Sequence, residues 1–132
     1  MSADVLITVL TCRRPRYLSR TLAALEDHAF DPDRCRGRIF INGADPETIE
    51  AVNRRWRLFD RAFVSPENLG QTPALNRLWS DTGPSPMLHV EDDMVASRGG
   101  WLGASLRFME ENPDVGQLRL YPFREIYHVS KV

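Results

Sequence analysis

Met87-Leu88-His89-Val90-Glu91-Asp92-Asp93 is a short, mostly apolar run that ends abruptly in three carboxylates. The breaker Gly83-Pro84-Ser85-Pro86 precedes it, so the run reads as a strand that starts after a turn and ends in acid. In an open parallel sheet, ligands bind beyond the carboxyl ends of the strands. Alternation along an extended backbone sends Glu91 and Asp93 one way and Asp92 the other. Three adjacent carboxylates repel one another and gain nothing from burial without a partner. A hard divalent cation would resolve that conflict, because Mg²⁺ and Mn²⁺ take oxygen ligands from one or two carboxylates, waters and phosphates. An acidic triplet is equally what a solvated turn looks like. Its neighbours decide between the two. His89 points with Glu91 and reads as a core histidine whose ring nitrogens are met by packed neighbours.

Outward from this strand, strand and helix signals alternate. Val5 to Leu10 is a continuous aliphatic run suited to a strand buried on both faces. Tyr17 to His28 spaces Leu18, Leu22 and Leu25 on one helical stripe. Arg38 to Gly43 is a second strand. Asp45-Pro46-Glu47 then opens a helix with a capping aspartate, a proline at the first position and an acid in the first turn. Ile49, Val52 and Trp56 would form its apolar side. Arg61 to Val64 is a third strand, and Gln71-Thr72-Pro73 opens a helix with Leu75, Leu78 and Trp79 inward. Trp101 to Glu111 is a further helix, and Gly116 to Tyr121 a fifth strand. The order predicts an α/β, three-layer, mostly parallel sheet with helices on both faces and right-handed crossovers. Nothing divides residues 1–132 into more than one domain at this length. The three tryptophans fall at helical positions and read as core.

The other strand ends carry polar parts. Thr11-Cys12-Arg13-Arg14-Pro15-Arg16 enters a helix N-terminus, where free amides and arginines favour anions. Asn42, Gly43 and Asp45 follow the second strand; they suit a turn and a helix cap, and they could also bond a base or ribose. Asn68-Leu69-Gly70-Gln71-Thr72 follows the third, with Gly70 permitting close backbone approach. Tyr17 and Tyr121 could stack on a base, although packing explains them as well.

Composition narrows the classes. Apolar residues at 42% and charged residues at 27% are globular proportions. A net charge of −1 offers no field for a nucleic-acid backbone. Every basic side chain but Lys131 is arginine, which a composition bias explains as simply as phosphate recognition does. Cys12 and Cys35 cannot build a disulfide framework or a metal site. The apolar N-terminal run is too short for a membrane span and carries the wrong charge order for a signal peptide. A cytoplasmic protein is the expectation.

Taken together, the pattern resembles the opening of family 2-like glycosyltransferases of the GT-A type. Leu6 to Thr11 followed by Arg13-Arg14-Pro15 and Tyr17-Leu18 is similar to their first strand and loop. Glu67 to Asn76 is similar to their turn and helix before the metal motif, and Glu91-Asp92-Asp93 to their DXD signature with Glu in first place. Trp101-Leu102 and Asn112 to Gly116 resemble the segment that follows. The likeness spans roughly residues 4 to 120. It implies a short version of the nucleotide-diphospho-sugar transferase fold and a UDP- or GDP-sugar donor with Mn²⁺ or Mg²⁺ as cofactor. Thr11 and Arg13 would line the nucleotide pocket, Asp45 would lie near the base, and Asn68 and Gly70 beside base and ribose. Asp93 would be the metal ligand, with Glu91 assisting at the metal and Asp92 at the nucleotide. The acceptor site and carboxylate base of such enzymes come from a second half. After Asp93 only Glu110, Glu111, Asp114, Glu125 and His128 are available, and none has a motif context. The catalytic base is therefore unassigned. Two expectations stand: a compact transferase that completes its acceptor site through its tail or by forming a homo-oligomer, or a catalytically incomplete nucleotide-binding or assembly module.

Overall fold

In the computed structural model, residues 5–120 and 129–131 are described, and they fall into two compact units, Met1–Ser97 and Arg98–Val132. The first unit contains β1 (Val5–Thr11), α1 (Pro15–His28), β2 (Cys35–Asn42), α2 (Pro46–Asn53), a 3₁₀ turn (Trp56–Leu58), β3 (Arg61–Ser65), α3 (Gln71–Leu78) and β4 (Met87–Glu91). All four strands run parallel in the order β3-β2-β1-β4.

Alternation along the strands explains the layers. Leu10 and Phe40 are register partners and, with Phe63, pack against Ala74, Leu75 and Leu78 of α3. Val9, Ile39 and Ile41 therefore face the opposite side, where they are buried. That side is covered by α1 and α2, which lie against each other and bury Leu18, Leu22 and Leu25 of α1 and Ala51 and Val52 of α2. Each fully buried leucine on the stripe contributes about 1.5–3 kcal/mol relative to exposure. The result is the expected three-layer α/β arrangement.

Local sequence sets the ends. Pro15 starts α1 with its φ already helical. Asp45 caps α2, accepting the Thr48 amide at 2.9 Å and the Thr48 hydroxyl at 2.8 Å. Gly37 in β2 admits no side chain, because a Cβ there would run into the Leu58 carbonyl of the 3₁₀ turn. On β3, an end strand of the sheet, the Phe63 ring lies beneath the guanidinium groups of Arg61 at 5.0 Å and Arg77 at 5.2 Å.

Three details differ from the sequence pattern, the first being Ile49, expected on the apolar side of α2 and found exposed. The helix after Pro46 stops at Asn53, and Trp56 sits in the 3₁₀ turn, 64% exposed with Arg57 over its ring. The tighter turn changes the angular step, so Leu58 takes the inward position that Trp56 was expected to fill. Trp79 ends α3 at the edge of the core and is also partly exposed.

The second unit holds α4 (Trp101–Glu111), β5 (Val115–Leu118) and β6 (Val129–Lys131), with β5 and β6 antiparallel. The expected fifth strand thus spans 115–118 and forms a separate two-stranded sheet with β6. Glu110, Glu111 and Asp114 are exposed. Tyr121, Glu125 and His128 lie outside the described residues. Among the described residues no helix is long and apolar enough to cross a membrane.

Candidate functional site

Register alone aligns the strand tips. Leu10 pairs with Glu91, Thr11 with Ile41, and Asn42 with Ser65, so the loops after β1, β2, β3 and β4 leave from one edge of the sheet. Two clusters form there.

The first surrounds the acidic turn. β4 ends at Glu91, and the turn that follows is closed by the Met94 amide on the Glu91 carbonyl at 3.2 Å. Asp92 points into the protein and is 1% exposed, whereas Glu91 and Asp93 are exposed. Both Asp92 carboxylate oxygens are engaged. Thr11 Oγ1 donates to Oδ2 at 2.9 Å, Arg14 Nε donates to Oδ2 at 3.3 Å, and Arg14 Nη2 pairs closely with Oδ1. Thr21 Oγ1, from the buried stripe of α1, donates to the Asp92 carbonyl at 2.9 Å. The third guanidinium nitrogen, Arg14 Nη1, reaches Asp93 Oδ2 at 3.4 Å. Burial pulls the Arg14 pKa down, but the hydrogen bond and charge of Asp92, followed by Asp93, outweigh it and hold the group above its ordinary value. Arg14 also lies 5.8 Å from the centre of the exposed Tyr17 ring.

The second cluster joins the tips of β1, β2 and β3. Arg13, at φ 52°, sends Nε to the Gly43 carbonyl at 3.2 Å. Gly43, at φ 73°, lies so close to Arg13 that a Cβ would press on its Nε, with Asn68 at ordinary contact distance. Asn42 is 3% exposed and works as a clamp. Its Nδ2 donates to Asn68 Oδ1 at 2.9 Å and to the Gly70 carbonyl at 3.2 Å, and its Oδ1 accepts the Leu69 amide at 2.8 Å. Asn68 Oδ1 also accepts the Gly70 amide at 2.9 Å. Asp45 is turned into its own helix; the Thr48 amide and then the Thr48 hydroxyl hold its pKa below the usual carboxylate value, with a smaller contribution from the charge of Arg13.

The structure therefore brings Thr11 together with Asp92, and Arg13 together with Gly43, Asn68 and Gly70. Asp45 stands apart as a cap. Glu91 and Asp93 flank the turn on its open side. Arg14, Thr21 and Asn42 carry more of the geometry than the sequence revealed. Thr21 had a readable signal, a polar residue on an otherwise leucine-lined stripe, which needs a buried partner. Nothing in sequence separates Arg14 from its neighbours Arg13 and Arg16. His89 is held on the α3 side: its Nδ1 lies 3.0 Å from Thr8 Oγ1, which also accepts from Trp79 Nε1 at 3.3 Å, and the Trp79 ring meets it edge-on.

Among the described residues no three His, Cys, Asp or Glu side chains converge to hold a metal on their own. A dication carried by a diphosphate needs only one or two carboxylates, with phosphate and water completing its shell. Asp93 fits that smaller demand, since its side chain is 44% exposed and, among the described residues, is held by the long Arg14 contact. Glu91, at the end of β4, is exposed as well. The donors suit a substrate-borne ion rather than a self-contained metal centre.

The fold is GT-A-like, a parallel α/β sheet with helices on both faces. Solved structures that share it include the mannosyltransferase PcManGT from Pyrobaculum calidifontis in complex with GDP-Man and Mn²⁺, with a TM-score of 0.75 and 16% identity over 88% of this chain and 34% of that one. S. aureus TarS 1–349 matches at a TM-score of 0.74 and 15% identity, over 95% of this chain and 38% of that one. The same protein in complex with UDP-GlcNAc matches at a TM-score of 0.66 and 15% identity, over 95% and 37%. The chain thus spans little more than a third of the length of these structures. No protein-family model and no curated protein matches it.

Proposed function

We propose that the chain is the nucleotide-sugar-binding domain of a metal-dependent glycosyltransferase, taking a UDP- or GDP-sugar and passing the sugar to an acceptor. The observation that supports this most is the acidic turn at the carboxyl end of β4, locked to the loop after β1 by Thr11 and Arg14, in a fold shared with a GDP-Man- and Mn²⁺-bound mannosyltransferase. Every residue assigned to the site lies in the first unit. Asp93, with Glu91, would hold Mn²⁺ or Mg²⁺. When bound, the ion neutralises charge that develops on the leaving diphosphate. Arg13, Asn68 and Gly70 line the nucleoside side. The Thr11 hydroxyl and Asp92 serve the nucleotide through Arg14, since the Asp92 oxygens are already bonded. Asp45 shapes the base pocket by fixing the start of α2. The α1 N-terminus has no side-chain cap and Pro15 at its first position has no N–H, so the amides of Arg16 and Tyr17 are the ones offered to phosphate oxygens.

The test is calorimetric titration of UDP and GDP with and without Mn²⁺. Asp93→Ala should abolish Mn²⁺-dependent binding; unchanged binding would reject the assignment. A panel of sugar nucleotides then separates turnover from binding. Transfer or donor hydrolysis supports the enzyme, and binding without either identifies a nucleotide-binding or assembly module.

A further inference from the structure

The acidic turn already contains a cation. Arg14 commits Nε and Nη2 to a carboxylate that is almost wholly buried, and it extends Nη1 to the exposed Asp93. These two holds are unequal. Asp92 is desolvated, so removing its counter-charge leaves an unpaired buried anion, and Arg14 cannot leave it cheaply. The contact to Asp93 is long, and both side chains are half open to water, so that contact can be given up. We propose that Arg14 is a positioning residue that couples metal to nucleotide: its fixed positive charge weakens metal binding at Asp93 alone and favours the metal–diphosphate pair.

Arg14 and Asp92 cancel in net charge, so the nearer end of the pair sets the sign: Nη1 faces Asp93 at 3.4 Å, while Nε and Nη2 face Asp92. A bare dication at Asp93 sits close to a guanidinium that Asp92 keeps in place, and like charges repel. A nucleoside diphosphate carrying that dication is anionic overall, so the same guanidinium attracts the pair. Arg14 Nη1, released from Asp93, is then free to donate to a phosphate oxygen. Metal and nucleotide thus each raise the other's affinity, and the coupling is reciprocal. This inference rests on the proposed nucleotide site.

The probes are Mn²⁺ alone, UDP or GDP alone, and both together, with free Mn²⁺ followed by electron paramagnetic resonance. A diphosphate chelates Mn²⁺ in solution, so the readout is the difference between wild type and variants. The double variant R14Q/D92N removes the guanidinium and its buried counter-charge together, so the net charge is unchanged and what is lost is the positive end that faces Asp93. Its Mn²⁺-alone affinity should rise severalfold, and its metal–nucleotide coupling should fall by roughly tenfold, within the usual range of coupling factors. R14K, which keeps the charge, should retain most of the coupling. D92N alone frees Arg14 to hold Asp93 more firmly; because D92N and R14Q/D92N differ only in the guanidinium, Mn²⁺-alone affinity should be lower in D92N than in the double variant. Coupling and Mn²⁺-alone affinity that match wild type in both R14Q/D92N and D92N, with nucleotide still bound, would overturn the role of Arg14 and leave the site standing. A wild type that binds no nucleotide with Mn²⁺ would remove the site itself.

Discussion

His89 shows how one side chain's surroundings set a measurable pH response. Burial lowers its pKa, and the charge of Glu91 offsets this only in part. In the unfolded chain the imidazole takes a proton near its ordinary value of about 6.5. Below that pH the unfolded state binds the proton and the folded state resists, so stability falls as pH drops from about 6.5 toward the folded value. Above it both states are neutral and the group has no effect. Urea midpoints at pH 7.5 and 5.5 should differ for the wild type, and the difference should shrink in His89→Gln. An equal difference in both proteins would assign the slope to another group. That His89 is a packed histidine was legible from its place in a strand. Its partners, Thr8 and Trp79, were not: Thr8 lies 81 residues away and the sheet register brings it alongside, and Trp79 reaches the same hydroxyl from the end of α3.

At the scale of elements, the sequence was most legible where local chemistry acts locally. Asp45-Pro46-Glu47 announced the start of α2, and the structure places the cap bonds there. Asp45→Ala should cost about 1 kcal/mol, the usual worth of such a cap. Because the cap holds the Asp45 pKa down, its contribution is present above the unfolded carboxylate value of about 3.9 and is lost as pH falls through the folded value. Wild type and variant should therefore converge in acid, and a gap that persists at pH 2 would point to a cause other than the ionised cap. The end of the same helix was not legible. Trp56 continues the apolar spacing, and only the change to a 3₁₀ turn hands its place to Leu58. The Asn42 clamp was half legible: the residue stood at a strand end, yet its three bonds go to a loop 26 to 28 residues later.

For the whole molecule, the order of strands and helices yielded the parallel sheet and the layers, since each strand's periodicity and each cap pointed to the same architecture. The pairing of β5 with β6 was beyond reach, because a four-residue strand of mixed polarity, Val115–Leu118, carries no mark of its partner. One position tests the close approach that holds the sheet's far side together. Gly37 lies under the Leu58 carbonyl, so Gly37→Ala should destabilise the fold by about 3 kcal/mol or more, through backbone displacement rather than a lost contact. Urea unfolding would check this; a change under 0.5 kcal/mol would mean the 3₁₀ turn yields freely.

Phe63 beneath Arg61 and Arg77 has a consequence for solubility across conditions. An open strand invites intermolecular pairing, and proteins commonly blunt it with lysine or carboxylate charges that vanish at one pH extreme or the other. Guanidinium keeps its charge throughout the working range of proteins and stays attracted to an aromatic face. The β3 flank thus carries a deterrent to self-association that neither acidification nor mild alkali switches off.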